Sequence, residues 1–113
     1  MIPMTMEEQI KGLIDKFNNK MNKDEATRDE VKHLKKTFTL DLDTEKYSFK
    51  LENAQMFDFK AEATEGSDVI VTSTPENLQK LIDGDLTPMR AYLTKKIKIE
   101  GKIQDLMFLK KFL

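Results

Sequence analysis

No cysteine occurs among the 113 residues. Disulfides, thiolate catalysis and the usual zinc frameworks are therefore excluded. Histidine is nearly missing too. His33 is the only one, it sits among lysines, and no serine, cysteine or metal-ligand pattern surrounds it. It reads as a surface residue at the start of a strand rather than a catalytic base. Glycine is sparse, and Gly66, Gly84 and Gly101 stand singly at turn positions. They do not form a phosphate-cradling loop. No apolar run approaches the ~20 residues needed to span a bilayer. Met1 to Met6 lack the cationic start and apolar core of a signal peptide. The last four residues, KKFL, are not an SKL-type peroxisomal address. The cytoplasm is the expected compartment. An excess of charge is also lacking: 19 basic residues meet 20 acidic ones, for a net charge of −1. The chain as a whole has no long-range reason to attract nucleic acid or an anionic membrane.

What is present is 35% charged and 39% hydrophobic. This composition fits one soluble, globular domain over residues 1–113, large enough for a real core. Met6, Ile10, Leu13, Ile14, Phe17 and Met21 recur at three- and four-residue steps, which predicts an amphipathic helix from Thr5 to about Met21. Thr5 and Glu8 have the spacing of a capping box. A helix lying on a membrane would show the same stripe, but the polar face here carries acids as well as lysines, which favours core packing. Asn22 to Lys32 is polar, with a short helix capped by Asn22, or a loop, expected there.

The next 30 residues switch to period two. Phe38, Leu40 and Leu42 alternate with polar neighbours, as do Tyr47, Phe49 and Leu51. After Asn53-Ala54, Phe57, Phe59, Ala61 and Ala63 alternate with Asp58, Lys60 and Glu62. Three strands joined by tight turns make an antiparallel meander with one dry and one wet face.

The last third holds the densest signals. DVIVTS is a strand of β-branched residues. Thr74-Pro75 reads as N-cap and first helical residue. Leu78, Leu81 and Ile82 share one face, and Gly84 supplies a left-handed stop. Thr87-Pro88 repeats the start signal, with Met89, Tyr92 and Leu93 as a second stripe. Ile97 and Ile99 alternate with lysines up to Gly101, and an apolar segment follows. On a helical wheel Ile103, Leu106 and Met107 make one stripe, while Phe108 and Phe112 point to the other side. A helix apolar on both sides needs a second apolar neighbour, which a lipid, a partner subunit or a membrane would supply. The elements together predict an α+β fold, a five-stranded sheet covered on one face by helices.

This order of elements resembles the sterol carrier protein 2 family. The likeness rests on the Pro75 helix with its Leu81-Ile82-Asp83-Gly84 end, Thr87-Pro88-Met89 with Ala91-Tyr92, the Ile97 to Gly101 strand, and Leu106-Met107. The resemblance implies a mixed sheet, with the fourth and fifth strands added beside the first. It also implies an apolar tunnel between sheet and helices, and binding of fatty acids, fatty acyl-CoA, phospholipids or sterols without a reaction. Two positions depart from the family pattern: Lys95 stands where a glycine is common before the fifth strand, and Lys102 where Asn or Asp is usual.

The expected ligand-binding residues are Phe57, Phe59, Leu86, Met89, Tyr92, Leu93, Met107, Phe108 and Phe112. No catalytic residue, metal site or cofactor is expected. The expected partner is a lipid or acyl-chain ligand, with no nucleic acid and at most transient membrane contact, in a monomer or homodimer. The other reading is a dimerisation or interaction module that uses the apolar C-terminal helix, in some cases beside an enzyme.

Overall fold

The first helix, α1 (Glu7–Lys23), buries Ile10, Ile14, Phe17 and Met21. These are four of the residues whose spacing predicts it. A computed structural model describes residues 6–101 of the chain. Thr5, half of the expected capping box, lies outside the described residues. The N-cap of α1 is Met6, whose N–H donates to Glu45 Oε1 at 2.7 Å. Glu7 and Glu8 in the first turn and Lys20 and Lys23 in the last complement the helix dipole. Burial of the stripe identifies α1 as a core helix.

A second helix, α2 (Glu25–Val31), follows at once. Its cap is Asp24 and not Asn22: Asp24 accepts from the Thr27 N–H at 3.2 Å and from its hydroxyl at 2.8 Å. The Thr27 hydroxyl and N–H together hold the Asp24 carboxyl below its ordinary pKa. Val31 closes the helix and is fully buried.

The sheet contains β1 (Lys36–Asp41), β2 (Lys46–Glu52), β3 (Gln55–Lys60), β4 (Val69–Thr72) and β5 (Lys98–Glu100). Their order across the sheet is β3-β2-β1-β4-β5. β1 and β4 run parallel and the other pairs antiparallel, so the sheet is mixed. Asn53 and Ala54 turn β2 into β3 with φ of 53° and 60°, the positive values a two-residue hairpin demands. Phe38 pairs with Phe49 across β1 and β2, and the rings stack at 5.2 Å.

Two expectations for the meander need correction. The first concerns β3. Leu51 pairs with Met56 and Lys50 with Phe57, but Ser48 pairs with Lys60. Asp58 and Phe59 therefore both stand opposite Phe49, a β-bulge made by Asp58 at φ 57°. Before the bulge Met56 faces the core, and Phe57 points outward at 44% exposure. After it Phe59 returns to the dry face and stacks on Tyr47 at 5.6 Å. Ala61 and Ala63 lie beyond the end of the strand and are exposed.

The second correction concerns the wet face. Thr39 and Ser48, opposite each other on that face, are buried. The chain between β3 and β4 crosses them. Thr39 Oγ1 meets Ser67 Oγ at 2.6 Å, and Ser48 Oγ meets Thr64 Oγ1 at 2.6 Å. Hydroxyls suit this crossing because each can both donate and accept.

Two further helices complete the described chain: α3 (Pro75–Asp83) and α4 (Pro88–Leu93). Thr74 caps the first by accepting from the Asn77 N–H, and Thr87 caps the second by accepting from the Arg90 N–H, both at 3.2 Å. Gly84 ends α3 at φ 84°. After α4, Lys95 takes the left-handed conformation at φ 62°. Its N–H donates to the Tyr92 carbonyl and that of Lys96 to the Ala91 carbonyl. This is the Schellman arrangement, built with lysine where glycine is usual. Gly101 sits so close to Asp68 that a Cβ there would run into the Asp68 carbonyl oxygen.

Candidate binding cavity

The floor of the site is the dry face of the sheet. Phe38 and Leu40 from β1, Phe49 from β2, Met56 from β3 and Val71 from β4 all point the same way, because the register places them at matching positions. One wall is α1, through Ile10, Leu13 and Ile14. The opposite wall is Leu78, Leu81 and Ile82 of α3, continued by Leu86, Thr87 and Pro88. Between them lies a cavity of about 390 Å³. That volume falls within the roughly 300–1,000 Å³ typical of ligand pockets.

Burial explains why the space exists. α3 carries a strong apolar stripe, yet none of its residues is buried. Leu78, Leu81 and Ile82 are only half-buried, and so is Leu40, although β1 is the central strand of the sheet. Leu40 and the α3 stripe line the same cavity, at the edge of the buried core. The start of α3 is tied to the chain before β5, where Ser73 Oγ and Asn77 Nδ2 both donate to the Lys96 carbonyl, at 3.0 and 3.3 Å.

The chemistry of the walls is hydrocarbon. Among the described residues only Lys16 and Thr87 bring polar side chains to the lining, and the Thr87 hydroxyl already caps α4. Lys16 is exposed. Such walls bury apolar surface, and the described residues among them place no nucleophile, general base or metal ligand there. Among the described residues no group of three or more His, Cys, Asp or Glu could hold a metal ion.

Of the residues expected to bind ligand, Leu86 lines the cavity. Phe59 packs against the core beside Tyr47, with the Lys11 ammonium 5.9 Å from its ring centre, and does not reach the lining. Phe57 lies on the outer face of the sheet. Met89, Tyr92 and Leu93 lie on the outer surface of α4, at 43%, 41% and 69% exposure. Met107, Phe108 and Phe112 lie outside the described residues, as do Ile103, Leu106 and Lys102. The residues that do line the space, such as Ile10, Leu40, Phe49 and Leu81, read in sequence as ordinary core stripes. The available signal was α3 itself, a nine-residue helix with an apolar stripe and no apolar residue on any other side to fix its depth.

The sequence profile of the SCP-2 sterol transfer family matches residues 14–113. The chain belongs to this family. Lipid binding or transfer is what membership implies. A search of curated proteins found no match. Among solved structures, the sterol carrier protein 2 like 2 of Aedes aegypti is similar, with a TM-score of 0.62 at 16% identity, covering 96% of this chain and 100% of that one. A UbiJ-SCP2 ubiquinone synthesis protein matches with a TM-score of 0.64 at 17% identity, over 95% of this chain and 90% of the other. The sec-alkylsulfatase Pisa1 from Pseudomonas sp. reaches a TM-score of 0.66 at 17% identity, over 76% of this chain. Our chain spans only 14% of the length of that sulfatase. At these identities the likeness is one of fold, and the family's α+β architecture with a five-stranded mixed sheet is the one observed here. No helix among the described residues is long and apolar enough to cross a membrane.

Proposed function

We propose that this SCP-2 family member binds the apolar chain of a fatty acid, fatty acyl-CoA, phospholipid or similar lipid in the cavity between sheet and helices, and carries it without chemistry. The observation that supports this most is the half-burial of Leu40 and the α3 stripe, bordering about 390 Å³ of hydrocarbon-walled space. Each methylene moved from water to such walls contributes ~0.8 kcal/mol, so about ten contribute ~8 kcal/mol. That corresponds to a Kd of about 1 μM, before the cost of ordering the ligand weakens it. Apolar walls read length and width, not functional groups, so selectivity among acyl chains is broad.

The role of α3 and of Leu86 is to form one side of the cavity, between the caps at Thr74 and Thr87. Phe59 supports the opposite side from behind, and Met89, Tyr92 and Leu93 lie outside the cavity. The reading as an interaction module depends on the apolar C-terminal segment and draws nothing from the described residues.

Titration of the purified, delipidated protein with a fluorescent fatty acid tests this reading, alongside native mass spectrometry of the protein as purified. Saturable binding with a Kd between about 1 and 100 μM is expected, together with lipid-sized adducts in the mass spectrum. A protein that is dry as purified and binds no probe below about 100 μM would overturn it.

A further inference from the structure

The outward face of α4 is apolar and lies in the most cationic stretch of the chain. Ala91 is fully buried and fixes which side of this short helix faces in. Met89 and Leu93 then point directly away from the protein, with Tyr92 on one flank and Arg90 on the other. Leu93 is the most exposed of the large apolar residues described, at 69%. From Leu86 to Ile99 the chain holds Arg90, Lys95, Lys96 and Lys98 and no acid, although the whole chain has a net charge of −1. Among the described residues, none of these four cations has a carboxylate within ion-pair distance.

From this arrangement we infer that the α4 face docks the protein on an anionic lipid bilayer. Protruding apolar side chains ringed by cations suit an interface in which the former enter the acyl boundary and the latter meet headgroup phosphates. A second copy of this chain fits poorly. Two-fold pairing of this face would bring Arg90, Lys95 and Lys96 against the same cations of the copy. Met89 and Leu93 share an open, shallow surface with Thr87, Arg90 and Thr94, which suits a fluid bilayer better than a deep protein groove. Thr87 belongs both to this surface and to the cavity lining. Docking here therefore sets the α3–α4 side of the cavity against the membrane. That last consequence rests on the proposed lipid-carrying function; the docking itself does not.

Vesicle flotation tests the proposal with the full chain. Phosphatidylcholine vesicles are compared with vesicles containing about one third phosphatidylglycerol. Binding to the anionic vesicles only, weakening as salt is raised, is expected. Lys95→Glu with Lys96→Glu, and separately Met89→Ser with Leu93→Ser, should each reduce partitioning by about tenfold. Fatty-acid binding and thermal unfolding should stay unchanged in both variants, since all four side chains are exposed. Equal binding to neutral vesicles, no binding to either, or unchanged partitioning in both double variants would overturn the proposal. So would a dimer in sedimentation that is lost in the Met89→Ser/Leu93→Ser variant. Loss of fatty-acid binding with vesicle binding intact would count against the cavity reading and leave docking standing.

Discussion

Lys95 holds its backbone where side chains are disfavoured. At φ 62° its Cβ crowds the following carbonyl, a cost of roughly 1–2 kcal/mol for an L-residue other than glycine, asparagine or aspartate. The conformation persists because the Schellman hydrogen bonds from Lys95 and Lys96 close α4 and aim the chain into β5. Its side chain is exposed and makes no packing contribution to lose. Lys95→Gly should therefore stabilise the protein by about 0.5–1 kcal/mol, after the added entropy of glycine in the unfolded chain is subtracted. Urea denaturation would show this as a higher midpoint at unchanged slope. The special conformation at Lys95 was not visible from lysine itself, since lysine carries no local signal for positive φ. The signals at Thr74, Gly84 and Thr87 were legible because each acts within three or four residues: a hydroxyl meets an N–H in its own turn, and a glycine ends its own helix.

At the scale of elements, one asparagine joins a helix to the edge of the sheet. Asn18 of α1 donates from Nδ2 to the Met56 carbonyl at 2.9 Å and accepts at Oδ1 from the Met56 N–H at 2.8 Å. Met56 lies on β3, which among the described residues is an edge strand. Its backbone is thereby satisfied, and its edge is blunted against pairing with another chain. Asn18→Ala should cost about 1–3 kcal/mol. Amide exchange should quicken along β3 more than along β4, which distinguishes a lost edge contact from uniform destabilisation. Period-two reading found all three meander strands, yet it carried the alternation straight through β3. Phe57 and Phe59 fit a regular strand and a bulged one equally well in sequence. The choice was made by Met56 entering the core and by Asp58 tolerating positive φ beside Lys50 and Lys60. The burial of Thr39 and Ser48 was hidden for a similar reason, because their cover comes from Thr64 and Ser67, far along the chain.

For the whole molecule, a sheet and a set of helices agree in layout with the SCP-2 family, and among the described residues a cavity lies between them. Composition and periodicity predicted both layers, because each layer's pattern follows from its own local geometry. They did not locate the cavity, since the same apolar residues line a filled core and an open one. Leu40 decides between these. A leucine on the dry face of a central strand is ordinarily buried; this one is half-buried and lines the cavity with Leu78, Leu81 and Ile82. The most direct measurement is the fatty-acid affinity and thermal unfolding of Leu40→Trp in the delipidated protein. If the space above Leu40 holds the ligand chain, the indole occupies it. Affinity then falls at least about tenfold, the effect of ~1.4 kcal/mol, while the unfolding temperature holds or rises. If Leu40 is instead part of a packed core, the larger ring is forced into filled space. Stability then drops by about 1–3 kcal/mol with affinity unchanged, and that result would contradict the cavity as the lipid site.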